Sequence, residues 1–162
     1  TRSMRSGEQD GVDYHFLSQA DFQSRVADDQ MLEWAEVYGN CYGTPRGPVE
    51  DALSRGQSIL LDIDVQGAEQ VRSAMPDAVS IFVLPPSIDS LEERLRGRST
   101  DSEEVIQTRM QEARVQIRRC SEFDYLVVND DLASAHDQFQ AVLVGELCRR
   151  ERHPLLIERF GD

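Results

Sequence analysis

Apolar positions fall in two rhythms along this chain. The runs "SILLDIDV" (58–65), "AVSIFVL" (78–84) and "DYLVV" (124–128) are short and aliphatic, as buried parallel strands are. Elsewhere the apolar residues recur every three or four positions, which predicts helices. "PVEDALSRG" (48–56) opens on a Pro and stops at Gly56, and "GAEQVRSAM" (67–75) ends before Pro76. "SLEERLRGR" (90–98) follows the break at Pro85-Pro86. "DSEEVIQTRMQEARVQIRRC" (101–120) has Thr100 and Glu103 in capping-box spacing. A last helix is predicted over "LASAHDQFQAVLVGELCRR" (132–150). Strands alternating with helices predict an α/β fold with a parallel sheet and helices on both its faces.

The first 45 residues break this alternation. "DYHFL", a short capped helix in "SQADFQSRVADD" and "MLEWAEVYG" predict a small β-rich insert rather than another βαβ unit. The expected organisation is one domain over residues 1–162, an α/β core with two appendages.

Composition narrows the function. The 162 residues are 40% hydrophobic and 29% charged, as in an ordinary globular domain. No apolar run approaches the roughly 18 residues of a membrane span, so no membrane partner is expected. Cys41, Cys120 and Cys148 are odd in number and lack metal-type spacing, which predicts reduced thiols and a cytoplasmic location. A net charge of −13 argues against general nucleic-acid binding. It leaves room for a small phosphorylated ligand held by a local group of cations. All 17 basic residues are Arg, and no Lys occurs.

Open parallel sheets bind ligands beyond the carboxyl ends of their strands, which directs attention to "ILLDID". An apolar run ending in Asp62 has the form of a strand whose acid holds the water shell of Mg²⁺ beside nucleotide phosphates. Asp64, two residues on, is expected on the same side of that strand. The arginines gather in two places, Arg2 and Arg5 near Tyr14, and Arg94, Arg96 and Arg98 with Arg109 beyond. Guanidinium forks pair bidentately with phosphate oxygens, so two phosphate-handling regions are expected. In "LEWAEVYGNCYGTP" a carboxylate (Glu33), a phenol (Tyr42) and a hydroxyl (Thr44) lie within a dozen residues, as in the wall of a pocket for a flat, hydrogen-bonding ligand.

"TRSMRSGEQDGVDYHF", "LEWAEVYGNCYGTP", "LLDIDVQGA", "IFVLPPS", "RLRGRSTDSEEVIQTRM" and "VVNDDL" occur in the order and near the spacing of guanylate kinases, and over residues 1 to about 145 the chain resembles that family. The resemblance implies a P-loop-kinase core (48–87 and 120–162), an inserted GMP-binding lobe (1–47) and a helical lid (88–119). It implies transfer of the γ-phosphate of ATP to GMP or dGMP with Mg²⁺. Carried over position by position, Glu33 accepts from guanine N1–H and the 2-amino group, and Thr44 addresses O6. Arg2, Arg5, Tyr14 and Tyr42 hold the GMP phosphate, while Asp64 supports the guanine end. Asp62 lies near the metal and phosphates, and touches Mg²⁺ through water. Arg98 and Arg109 close over the ATP phosphates. Asn129 and Asp130 fall at the turn near the adenine of ATP, where helix capping is the alternative role.

The chain departs from the family at Cys41, where a second Tyr is frequent, at Ser99 in place of Gly, and at Ser6 in place of Pro. The larger departure is the absence of the first strand, the G-x-x-x-x-G-K-[ST] loop and the first helix, none of which this sequence contains. The expectation is an N-terminally incomplete form, with the intact protein heavier than 18.4 kDa. A non-catalytic guanylate-kinase-like module that binds proteins explains the missing loop, but it leaves the guanine readers and phosphate arginines without a purpose. An adenylate-type kinase is disfavoured by Glu33 with Thr44. The tail, with Arg149, Arg150 and Arg152 before "HPLLIERF", either packs on a neighbour in a homo-oligomer or extends the last helix.

Overall fold

The computed structural model describes residues 1–98 and 102–160, without the side chains of Arg98, Pro154 and Ile157. Thr100, half of the expected capping box, lies outside the described residues. The chain divides into two compact units, Thr1–Ala78 and Val79–Asp162.

In the first unit, α1 (Gln19–Ala27) begins at Ser18, whose side chain accepts from the Asp21 amide. Strands β1 (Met31–Val37) and β2 (Asn40–Pro45) form an antiparallel hairpin. Tyr38 and Gly39 make its turn with φ of 51° and 74°, the two positive values a type I′ turn needs. The helix α2 (Arg46–Ser54) ends as expected at Gly56, whose φ of 71° lets its amide bond Leu53 O while Gln57 N reaches Ala52 O. Next comes α3 (Val65–Ala74), capped by Asp64. Two apolar clusters hold these elements. Phe22 of α1 meets Met31 and Cys41 of the hairpin, while Leu32, Val49 and Val71 join β1 to α2 and α3.

The run at 58–64 departs from expectation. It pairs with no described strand, and Ile59 and Leu60 are exposed, although Leu61 and Ile63 pack on the second cluster. Branched residues favour a pleated ladder only where a neighbour takes up the backbone N–H and C=O groups, so the aliphatic run alone did not make a strand. The period-two argument that set Asp62 and Asp64 on one side therefore has no strand to rest on. "DYHFL" is likewise not a strand; its one ladder contact is an isolated bridge between Asp10 and Tyr14.

In the second unit, β3 (Ile81–Leu84) pairs in parallel with β4 (Tyr125–Val128), in register from Ile81↔Tyr125 to Leu84↔Val128. This is the parallel pairing predicted from the two aliphatic runs. The crossover consists of α4 (Ile88–Arg98) and α5 (Glu103–Arg118). Asp124 ties the two strand starts together, accepting from Ser80 N at 2.8 Å and Ser80 Oγ at 2.7 Å. After β4, α6 (Leu132–Leu147) stops short of the predicted end, and a 3₁₀ turn leads to α7 (Pro154–Phe160), so the tail does not prolong α6. Buried Glu146 holds this corner by accepting from Tyr125 OH at 2.5 Å, Arg149 at 3.3 Å and Arg152 at 3.4 Å.

Candidate functional site

The hairpin sets three of the predicted residues on one face. Cross-strand partners share a face, and the register pairs Glu33 with Thr44 and Ala35 with Tyr42. Glu33 is 4% exposed, a rare position for a carboxylate. Its Oε1 accepts from Thr44 Oγ1 at 2.6 Å. Its Oε2 lies so close to the first turn of α3 that a Cβ on Gly67 would collide with it. Burial pushes the Glu33 carboxyl above the usual carboxylate range, the Thr44 hydroxyl pulls it back, and the charge of Asp64 pushes it further up. Glu33 and Thr44 thus form one buried polar group, a strong acceptor beside a hydroxyl.

Asp64 stands at the same end of α3. Its Oδ1 accepts from Gln66 N at 3.1 Å and Gly67 N at 2.9 Å, which satisfies two of the amides that a helix start leaves without partners. Its role in this structure is a helix cap. Asp62 is exposed in the extended segment before it.

Arg2, Tyr14 and Tyr42 gather at a second point of the same unit. They line a cavity of about 90 Å³ together with Thr1, Phe16 and Cys41. The Arg2 guanidinium carbon stands 5.1 Å from the centre of the Tyr14 ring and 5.5 Å from that of Phe16. Tyr14 and Tyr42 meet edge-on with ring centres 6.3 Å apart. The Arg2 fork grips Glu8 bidentately, Nη1 to Oε2 at 2.7 Å and Nη2 to Oε1 at 2.5 Å, and the Arg5 amide donates to the same carboxylate at 2.7 Å. Arg2 holds the Glu8 carboxyl at about 2. The Arg5 side chain is exposed, and its charge adds a smaller lowering of Glu8.

In the second unit Arg109 is half-buried on α5, between buried Ile106 and Met110, and Arg98 ends α4 with its side chain outside the described residues. The other two arginines of "RLRGR" have structural partners. Arg94 donates to the carbonyls of Asn129 at 2.8 Å and Asp130 at 3.3 Å. Arg96 pairs with Glu92 at 2.7 Å and Glu103 at 2.5 Å. Neither Asn129 nor Asp130 caps a helix. That place belongs to Asp131, the residue directly before Leu132, whose Oδ1 accepts from Ser134 N at 2.9 Å.

The sequence reading passed over Glu8, Gly67 and Gln70. Glu8 carried a signal, since it is the one carboxylate within reach of both phosphate arginines in "TRSMRSGE". Gln70 sits one residue before the buried Val71 of α3 and bonds both polar backbone groups of Trp34. Nothing in the linear pattern connects it with a strand 36 residues away.

Residues 1–146 match the family model for guanylate kinase. The chain is 51% identical over 152 residues to the guanylate kinase of Carboxydothermus hydrogenoformans, covering 94% of this chain and 74% of that protein. It is 47% identical over 158 residues to that of Desulfitobacterium hafniense, covering 98% and 79%. Among solved structures, guanylate kinase from Anaplasma phagocytophilum superposes with a TM-score of 0.84 at 35% identity, covering 99% of this chain and 80% of that one.

Proposed function

The chain belongs to the guanylate kinase family, and from that premise we infer that it transfers the γ-phosphoryl group of ATP to GMP, forming ADP and GDP. The observation that supports this best is the buried Glu33 carboxylate beside the Thr44 hydroxyl. Guanine presents N1–H and the 2-amino group as neighbouring donors, and the Glu33 carboxylate accepts both. On binding, the Thr44 hydroxyl turns its single proton from Glu33 Oε1 to O6. Adenine has an unprotonated N1 and no 2-amino group, so it leaves the buried acceptor unpaired. A site built to hydrogen-bond one ligand rejects such an analogue by about 10⁴-fold.

The GMP phosphate goes to Arg2, Arg5, Tyr14 and Tyr42. Arg2 already grips a planar anion in Glu8, and a phosphate takes the same fork geometry. The two phenols supply neutral donors beside it. Asp64 fixes the start of α3 against which Glu33 rests. For ATP, the reading assigns Arg98 and Arg109 to the phosphates, and Asn129 and Asp130 to the adenine. Phosphoryl transfer depends mainly on positioning and on neutralising the charge of the transferring group, which is what two guanidinium groups provide. Asp62, an exposed single carboxylate, fits a Mg²⁺ held mostly by water and nucleotide phosphates; when bound, that ion neutralises phosphate charge.

The test is a coupled assay of ADP release by the intact protein, with GMP, dGMP, AMP or IMP as acceptor. GMP-dependent ADP formation with negligible AMP turnover is expected. No GMP-dependent release, or equal use of AMP, overturns the reading.

A further inference from the structure

The hairpin leaves one polar edge of β1 turned away from β2. In a two-residue hairpin the pairs alternate between hydrogen-bonded and non-bonded, starting with a bonded pair at Val37 and Asn40. Counting back, Trp34 and Gly43 form a non-bonded pair, so the N–H and C=O of Trp34 both point outward. Gln70 of α3 meets both. Its Oε1 accepts from Trp34 N at 3.1 Å, and its Nε2 donates to Trp34 O at 2.7 Å. One side-chain amide thus stands in for the next strand of the sheet. Its Nε2 also lies 3.3 Å from Gln66 O, on the preceding turn of α3, which fixes the amide group on the helix side as well.

This contact falls next to the residue that matters for base recognition. Trp34 follows Glu33 directly, and Gln70 is three residues after Gly67, one turn along the helix from the backbone that meets the Glu33 carboxylate. α3 packs closely on β1, and apolar contact is part of that packing. The Val71–Leu32 contact is apolar and sets no direction along the strand. The amide pair does, because each of its two bonds has a distance and an angle to keep.

We propose that Gln70 is a positioning residue for guanine selectivity: by bonding both polar groups of Trp34 it fixes the sliding of β1 along α3, and so holds the Glu33 carboxylate where it meets N1–H and the 2-amino group together. This rests on the guanine reading of Glu33. Gln70 touches no substrate in this account and acts through Glu33.

The test uses the full chain and calorimetric titration with GMP and with IMP, which keeps N1–H but lacks the 2-amino group. Gln70→Met keeps the length and helix propensity of the side chain and removes both hydrogen bonds. The expected result is GMP affinity about tenfold weaker, with IMP affected much less, so that the GMP-to-IMP preference contracts severalfold. A role in stability alone lowers the melting temperature and leaves that preference unchanged. A folded Gln70→Met protein with the parent's GMP-to-IMP preference overturns the proposal, whatever its melting temperature. Failure of the parent to bind GMP at all overturns the guanine reading itself, and the positioning role with it.

Discussion

Glu33 fills the space that a side chain on Gly67 would need: a Cβ there would run into Oε2 and stand 3.1 Å from Cδ and 3.3 Å from Ile63 Cβ. Gly67 is therefore small because a carboxylate from another element lies against it, not because of a backbone angle. Gly67→Ala tests this. The first turn of α3 gains part of the roughly 1 kcal/mol that Ala holds over Gly in helices, while the Glu33 carboxylate is pushed aside. The expected outcome is a melting temperature within a few degrees of the parent and GMP affinity down about tenfold or more. Unchanged GMP affinity places base recognition elsewhere.

The raised carboxyl of Glu33 gives two pH trends of opposite sign. Its proton is held more tightly in the folded chain than in the unfolded one, so between the two titration points the folded state binds more protons and stability falls as pH rises. GMP binding needs the ionised form, so affinity rises across the same window, above the usual carboxylate range. Glu33→Gln removes both trends. It keeps an oxygen for the Thr44 hydroxyl at no cost in buried charge, so its melting temperature at neutral pH matches or exceeds the parent's while GMP affinity drops about 10²-fold. Denaturation and calorimetry at several pH values measure the two trends separately; a Gln variant with parent-like affinity removes Glu33 from the site.

How much of this was legible beforehand follows from the range over which each signal acts. Local signals carried well. Ser18 before α1, Gly56 after α2 and the two aliphatic runs at 78–84 and 124–128 each marked an element the structure contains. The run at 58–65 misled because a strand needs a partner, and partners are not written in the run itself. The start of α6 at Leu132 was read correctly but its cap was not, since "NDD" offers three similar capping side chains and only the path of the chain chooses Asp131. Glu33 and Thr44 were legible as a pair because a short hairpin turns sequence spacing into register. Gln70 was not, because its partner lies 36 positions away. Of the arginines, Arg94 and Arg96 carried the same sequence signal as Arg98, yet they hold carbonyls and carboxylates of their own unit.

The Arg2–Glu8 pair predicts acid behaviour confined to the N-terminal segment. The Glu8 carboxyl is lowered to about 2, first by the Arg2 fork and then by the Arg5 amide. A depressed carboxylate contributes its stabilisation fully above the ordinary carboxylate range, and that contribution disappears as pH falls through about 2. A carbon-detected titration of the Glu8 carboxyl is expected to show this low midpoint, with the Arg5 amide resonance moving in step. Titration in the ordinary carboxylate range indicates that the pair does not persist in solution.

Asp64 has two assigned duties, and they separate by substitution. As the cap of α3 it serves the amides of Gln66 and Gly67, and loss of such a cap costs about 1 kcal/mol. Asp64→Ser retains a capping oxygen and removes the charge. The expected pattern is a lower melting temperature for Asp64→Ala, near-parent stability for Asp64→Ser, and a downward shift of the Glu33 titration in both, because Asp64's charge helps to hold Glu33 up. Equal stability losses in the two variants show that the charge, not the cap, is what α3 requires.

Arg109 separates binding from transfer. It is assigned to the phosphates of ATP and has no part in reading guanine, so Arg109→Ala is expected to leave GMP affinity at the parent value and lower kcat by at least about 10²-fold. Its position between buried Ile106 and Met110 allows a packing role as well, since a long arginine stem covers apolar surface. Arg109→Lys distinguishes these: it keeps the stem and the charge but loses the fork, so a packing role is restored and bidentate phosphate contact is not. A Lys variant as slow as the Ala variant, at parent melting temperature, assigns the loss to the fork. Full activity in the Lys variant indicates that charge and stem suffice, and unchanged turnover in the Ala variant removes Arg109 from the transfer step.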